Sequence, residues 1–307
     1  MFTRSLFYAL CCLAAFSHAG YAAGTVAAPF LKLTAGARNV AMGEGGVTAG
    51  DTASASGGSA NPAGLYSVQK RSLSLMHASW LEGITYQSAS YAHAVRGGVL
   101  GVSLTYLSMP AIEKYNNNGV KMNESFQSSD MVAGVSWAVP VGEVPFGITG
   151  KYIASVIDDA RATGIAFDVG IMIDPVFFPE KRTLRAGVVL QNIGTPMKFS
   201  KESYPLPSCV KAGVSIFPVR PWEIALEADK YLDEDVVGRA GTEYLIALGG
   251  DAFIAVRAGY RTMRGFEENA GITAGAGFGY QGFSFDYAFV PYGELTDTHR
   301  VSVTFGF

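Results

Sequence analysis

The chain is short of cysteine, histidine and charge, and past its first two dozen residues it has no long apolar run. Its three cysteines are Cys11, Cys12 and Cys209. The first two lie in a segment expected to be removed. The one thiol left excludes an intramolecular disulfide. The four histidines include no pair four residues apart, and no cysteine pair supports a metal site, so no metal and no cofactor are expected. Charged residues make up 16% and the net charge is −3, which gives nothing for a nucleic acid to bind. No mature stretch approaches the roughly 18 apolar residues of a spanning helix.

What is present is hydrophobicity in small pieces. The chain is 49% hydrophobic, with a mean hydropathy of +0.22. Without long runs, that surplus must sit in short alternating segments. A transmembrane barrel has this requirement, because each strand shows one face to lipid and the other to the lumen. The 37 glycines and 15 tyrosines fit turns, tight lumens and interfacial girdles.

The start of the chain points to export. Arg4 supplies a positive charge, Leu6 to Phe16 form an apolar stretch, and small residues follow with cleavage expected after Ala19, Ala22 or Ala23. Residues 1–23 therefore read as a signal peptide, too short to span a bilayer as a helix. Cys11 and Cys12 do not sit in a lipobox, so no lipid anchor is expected.

Residues 24–70 are rich in glycine, alanine and serine and carry apolar anchors at Phe30, Leu31, Leu33, Val40 and Met42. They read as a compact plug or hatch. A short helix is expected over Ala37 to Met42 and a loop over Asp51 to Ala60. Gly43-Glu44-Gly45-Gly46 is not read as a phosphate loop, because no Lys-Ser/Thr follows and no strand precedes it.

From residue 71 to 307 the chain is a series of strand-length segments. Fourteen are read, at about 72–80, 85–95, 98–108, 129–139, 146–157, 163–174, 183–192, 209–218, 222–231, 239–248, 251–261, 270–280, 282–290 and 299–307. About ten residues suit a tilted strand crossing a membrane. The register of charge is the useful test. Ile165, Phe167, Val169 and Ile171 oppose Asp168, and Trp222, Ile224 and Leu226 oppose Glu223, Glu227 and Asp229. Ile254, Val256 and Tyr260 oppose Arg257, and Leu184, Val188 and Leu190 oppose Arg185. A Lys or Arg facing lipid at the midplane would cost roughly 2–4 kcal/mol. Segment 85–95 shows two similar faces, and its register stays open. The Gly275-x-Gly277-x-Gly279 run is a strand face that leaves space in the lumen or lets the plug approach.

Val301, Val303, Phe305 and Phe307 alternate with Ser302, Thr304 and Gly306. A last strand closed by Phe307 is the signal expected to engage the barrel assembly machinery. Short connections (96–98, 141–145, 217–221, 249–250, 281–282) alternate with longer ones (109–128, 192–208, 262–269, 291–298), as a barrel with periplasmic turns and extracellular loops requires. The connection from Asp174 to Arg182 is longer than that pattern. The expected fold is all-β: a transmembrane antiparallel β-barrel of about 14 strands with an N-terminal hatch, in the bacterial outer membrane.

Phe30-Leu31-Lys32, Gly36-Ala37-Arg38, Met42-Gly43 and Asn61-Pro62-Ala63-Gly64 resemble the N-terminal region of the PorV/PorQ proteins, a group within the FadL-type outer-membrane transport barrels. Gln191-Asn192-Ile193-Gly194, Pro205-Leu206-Pro207 and Lys211-Ala212-Gly213 resemble the same pattern. The resemblance implies a fourteen-stranded barrel with a hatch, and one of two roles. The first is passage of long-chain fatty acids or other hydrophobic molecules across the outer membrane, leaving sideways through the wall. The second is service as a shuttle or partner in type IX protein secretion. It implies hatch and gating residues Asn61, Pro62, Ala63 and Gly64.

For the transport role, a lumen cation would hold a carboxylate head, and Lys151, Arg185 and Arg257 are the candidates. The bland reading of each is pairing with a facing acid such as Asp168, Glu227, Glu243 or Asp286. Asn61 and Pro62 read equally as a turn that ends the plug. Catalysis is not expected. His299 lies near Asp297 and Ser302, but no nucleophile motif surrounds it. The expected partners are outer-membrane lipid and a hydrophobic small molecule, with secretion-complex proteins under the second role.

Overall fold

A computed structural model describes residues 25–49, 55, 57–116, 118–173, 184–219, 221–262, 271–292 and 297–307. The expected signal peptide and the long connection after residue 173 lie outside the described residues. The strands run in chain order as β1 (Arg71–Ser79), β2 (Thr85–Val95), β3 (Gly98–Ser108), β4 (Ile112–Tyr115), β5 (Lys121–Phe126), β6 (Ser128–Val141), β7 (Val144–Ile157), β8 (Ala160–Ile173) and β9 (Leu184–Gly194). They continue as β10 (Met197–Phe199), β11 (Glu202–Tyr204), β12 (Cys209–Val219), β13 (Trp222–Tyr231), β14 (Val237–Gly249), β15 (Ala252–Arg261), β16 (Ile272–Tyr280), β17 (Phe283–Pro291) and β18 (Asp297–Gly306). Fourteen of them close into one barrel, with β18 pairing both β17 and β1. Leu73 stands opposite Phe305 and Leu75 opposite Val303 across that closure. Closure leaves no unpaired edge, which lipid would not tolerate.

The period-two pattern sets the two faces. In β8, Ala162, Ala166, Asp168 and Met172 are buried toward the lumen, while Ile165, Phe167 and Ile171 are exposed on the outside. Val102, Val135, Leu226, Val256 and Phe285 continue this exposed apolar exterior around the barrel. Such a surface is unstable in water and stable in hydrocarbon. No helix among the described residues is long and apolar enough to cross a membrane. The open register of β2 resolves: Tyr86, Ser90 and Ala92 are buried inward, and Gln87 is exposed outward.

Two long connections are not plain loops. Residues 109–127 carry the β4–β5 hairpin and residues 195–208 the β10–β11 hairpin, each a separate two-stranded sheet at the same end of the barrel. Their strands are three to six residues long, too short and too polar to read as wall strands. The stretch expected as a loop up to Ala60 ends in a helical turn, Gly57–Ala60.

The N-terminal segment lies inside the barrel. It enters near the long-loop end, where the Ala27 N–H donates to the Pro205 carbonyl at 2.8 Å. Pro29–Lys32 form a 3-10 turn whose Phe30 packs with Ile153, Ala166, Met197 and Leu206. The helix Ala37–Ala41 crosses to β16–β18, packing Ala37, Val40 and Ala41 against Ala288 and Val290. A second 3-10 turn, Pro62–Ser67, leads into β1 at the short-turn end.

Glycines on the wall make room for this backbone. A Cβ on Gly259 would lie 2.0 Å from Gly43 N, and one on Gly241 2.5 Å from the Met42 carbonyl. On the other side, a Cβ on Gly147 would lie 2.3 Å from Ala63 N, and one on Gly170 2.1 Å from Asn61 Oδ1. Of the run in β16, only Gly275 meets the segment, at the Ala41 Cβ; Gly277 and Gly279 face wall side chains.

Candidate functional site

Between the N-terminal segment and the wall of β2–β13 lies a cavity of about 80 Å³. One part is apolar, lined by Phe30, Leu31, Leu33, Leu65, Tyr86 and Val132. The other is charged, lined by Lys151, Asp168, Lys211, Glu227 and Glu44, with Gln191 beside them. Alternation makes this mixture: inward positions of β7, β8, β12 and β13 carry the charges, while the 3-10 turn at Phe30 supplies the grease.

The charges are arranged in pairs and clusters. Lys151 lies 2.6 Å from Asp168 and donates to Asn192 Oδ1 at 2.9 Å. Asn192 sits at a bulge where β8 and β9 slip register between Phe167 and Val169, and its φ of 58° is left-handed. The Asn192 N–H donates to Asp168 Oδ1 at 2.8 Å, and Asn192 Nδ2 donates to the Pro207 carbonyl at 3.1 Å. Gln191 Nε2 donates to the carbonyls of Ser59 and Ala60 at 3.0 and 3.1 Å. The bulge thereby ties wall, loop and N-terminal segment together.

A second cluster grips the segment at Arg38 and Glu44. Arg38 Nη2 lies 2.7 Å from Glu223 Oε2 and 2.8 Å from Glu243 Oε1. Arg257 pairs with Glu243 at 2.5 Å and with Asp286 at 2.7 Å. Glu44, six residues on, is enclosed by Arg261 at 2.6 Å, Arg239 at 3.2 Å and Arg300 at 3.4 Å. Burial alone would raise the Glu44 carboxyl. The guanidiniums of Arg261, Arg300 and Arg239 outweigh it and hold the group well below the usual carboxylate range. The Gly43–Gly46 turn does cradle an anion, but it is a wall carboxylate: the N–H groups of Gly46 and Val47 both donate to Glu227 Oε2 at 2.8 Å.

The sequence candidates fall in different places. Lys151 lines the cavity. Arg257 belongs to the Glu243–Asp286 cluster. Arg185 stacks over the Phe217 ring at 5.6 Å and donates to the Thr48 carbonyl at 3.3 Å. The three do not converge on one point. Asn61 is buried as the cap of the Pro62–Ser67 turn: its Oδ1 accepts from the Ala63 N–H, and its Nδ2 donates to the carbonyls of Val47 and Ile171. Pro62, Ala63 and Gly64 are buried behind it. His299 stacks with Tyr287 on the outer face, whereas Ser302 faces the lumen and accepts from the Ala37 N–H, so the two cannot act together. No cluster of metal-ligating residues occurs among the described residues. Sequence reasoning missed Lys211 and the roles of Arg38 and Glu44. Two opposite charges, the only ones between Lys32 and Asp51 in the sequence, were the available signal.

No family profile and no curated protein matches the sequence. Solved structures do match in three dimensions. The toluene transporter TodX of Pseudomonas putida superposes with a TM-score of 0.62 at 10% identity, over 90% of this chain and 99% of its own. The toluene transporter TbuX of Ralstonia pickettii does so with 0.59 at 12% identity, over 89% and 97%. A FadL homologue of Pseudomonas aeruginosa gives 0.50 at 10% identity, over 82% and 94%. The fold is that of these barrels. With its lipid-facing exterior and closed wall, this barrel resides in the bacterial outer membrane.

Proposed function

We propose that the protein is an outer-membrane channel for hydrophobic or amphipathic small molecules, with residues 24–70 as the hatch and Asn61-Pro62-Ala63-Gly64 at its hinge with the wall. The observation that carries this reading is a barrel stoppered by its own N-terminal segment, with a half-apolar, half-charged cavity beside the stopper. Ligand would enter from the long-loop end, settle its apolar body on Phe30, Leu33 and Val132, and place its polar end toward the charged part that Lys151, Lys211 and Glu44 line. The hatch must then shift to open a path. Long-chain fatty acids are one ligand class within this reading, and the toluene named for two structural neighbours is another.

One observation favours the second reading, a PorV-like component of a secretion complex. The cavity of about 80 Å³ is smaller than the roughly 150 Å³ that admits benzene, so only part of such a ligand fits before the hatch moves. Purification from outer membrane in mild detergent, with mass spectrometry of lipids and proteins, separates the two. One hydrophobic species at near one per barrel supports the channel. A recurring protein partner without ligand supports the secretion role and overturns the channel.

A further inference from the structure

Glu44 is more than a structural ion pair requires. It is buried, and it holds a left-handed φ of 63°, a conformation that side chains other than Gly, Asn and Asp adopt at a cost. Its neighbours Gly43 and Gly45 would take that turn more cheaply. Three guanidiniums converge on its single carboxylate. A carboxylate offers about four acceptor sites and three guanidiniums bring about fifteen N–H groups, so Glu44 cannot satisfy them. Arg239 finds Asp229 at 2.8 Å. Arg300 donates from Nη1 to the Thr34 carbonyl at 3.2 Å and lies over the Trp80 ring at 4.7 Å. The Nε–H groups of Arg261 and Arg300 stay buried with no hydrogen-bond partner among the described residues. Arg300 itself is fully buried. Glu44 also lines the cavity, so a molecule there meets the carboxylate that these three arginines hold.

We propose that Arg239, Arg261 and Arg300 form an anion site that Glu44 fills as an internal stand-in, and that the carboxylate-type head group of an amphipathic ligand displaces Glu44 and so releases the hatch. This rests on the reading of the N-terminal segment as a movable hatch. It adds that ligand charge, not bulk alone, unlatches it. Glu44 then sets a threshold, because a ligand binds only as well as it competes with a tethered carboxylate.

Trp80 reports on the site directly, since it lies against Arg300 while Trp137 and Trp222 face outward on β6 and β13. The full chain carrying Trp137→Phe and Trp222→Phe, purified in dodecyl maltoside, is titrated with sodium decanoate and with decanol while Trp80 fluorescence is followed. A saturable change with decanoate and none with decanol is expected. Glu44→Gln removes the competitor and is expected to lower the decanoate midpoint roughly tenfold. Equal responses to the two probes, or an unmoved midpoint in Glu44→Gln, overturn the proposal. Should Glu44→Gln fail to fold, trypsin cleavage after Arg38 in the wild-type chain decides: decanoate accelerates it and decanol does not, and equal rates overturn the site. Flux through proteoliposomes tests the channel reading separately. Toluene flux without a decanoate response ends the anion site and keeps the channel, while a decanoate response without flux of either probe does the reverse.

Discussion

The two halves of the N-terminal segment are held in one lumen by different chemistry. Residues 37–47 meet β13–β18 through buried charge, Arg38 on Glu223 and Glu243, and Glu44 on three arginines. Residues 57–68 meet β3 and β6–β9 with amides and glycine fit, through Asn61, Gln191, Gly147 and Gly170. Buried charge is costly to strand and pays back only when every partner is in place, so the first half is close to all-or-none. Amide hydrogen bonds are individually smaller and leave the second half freer to shift by degrees. The hatch proposed above would use both: a latch that holds until displaced and a hinge that bends.

Arg38→Ala should break the contrast most. It removes the cation that bridges Glu223 and Glu243 in a buried cluster, leaving Glu243 to Arg257, and should cost about 3–5 kcal/mol of local stability. Hydrogen exchange over residues 37–47 should rise sharply while residues 57–68 change little; unchanged exchange at 37–47 would show that the charges are not the latch. Gly259→Ala should loosen the same half by about 1–3 kcal/mol, because its Cβ meets backbone at Gly43 and nothing there can swing aside. Asn61→Ala should reverse the pattern. Losing the cap and two further hydrogen bonds should cost about 1–2 kcal/mol, expose residues 57–68 and leave 37–47 protected. It should also alter ligand uptake, and identical uptake would remove Asn61 from gating.

The smallest effect concerns pH. The Glu44 carboxyl titrates well below its ordinary value of 4.5 in the folded protein. Its contribution is therefore complete above the unfolded value and is lost only as pH falls through the lower folded one. Exchange protection around Glu44 should stay flat from about pH 8 to about pH 5. A drop near neutral pH would mean that the carboxylate is not held by its arginines.

Much of the wall was legible beforehand. The apolar positions of β8 and the inward Asp168 followed from alternation, and β2, β3 and β13 begin and end where the pattern and turns put them. Period two is a local property, so sequence carries it. The hairpins β4–β5 and β10–β11 were not legible, because short polar strands lack an apolar face to mark them. Asn61 could be singled out as a turn former, but its bond to the Ile171 carbonyl spans 110 positions and leaves no local trace. Lys151 was an evident inward cation. That Lys211 shares its cavity while Arg185 and Arg257 point elsewhere depends on the height and stagger of each strand around the barrel, which alternation does not encode.

The sequence by itself determined an all-β chain with one face of each strand for lipid and charges on the other, since lipid admits no stray cation and no open edge. Only the tertiary structure decided which charges meet. Closing the barrel brought Arg239, Arg261 and Arg300 from three strands around Glu44, more than 190 residues away in the chain. Electrostatic partnership falls off with distance in space and is blind to distance along the sequence.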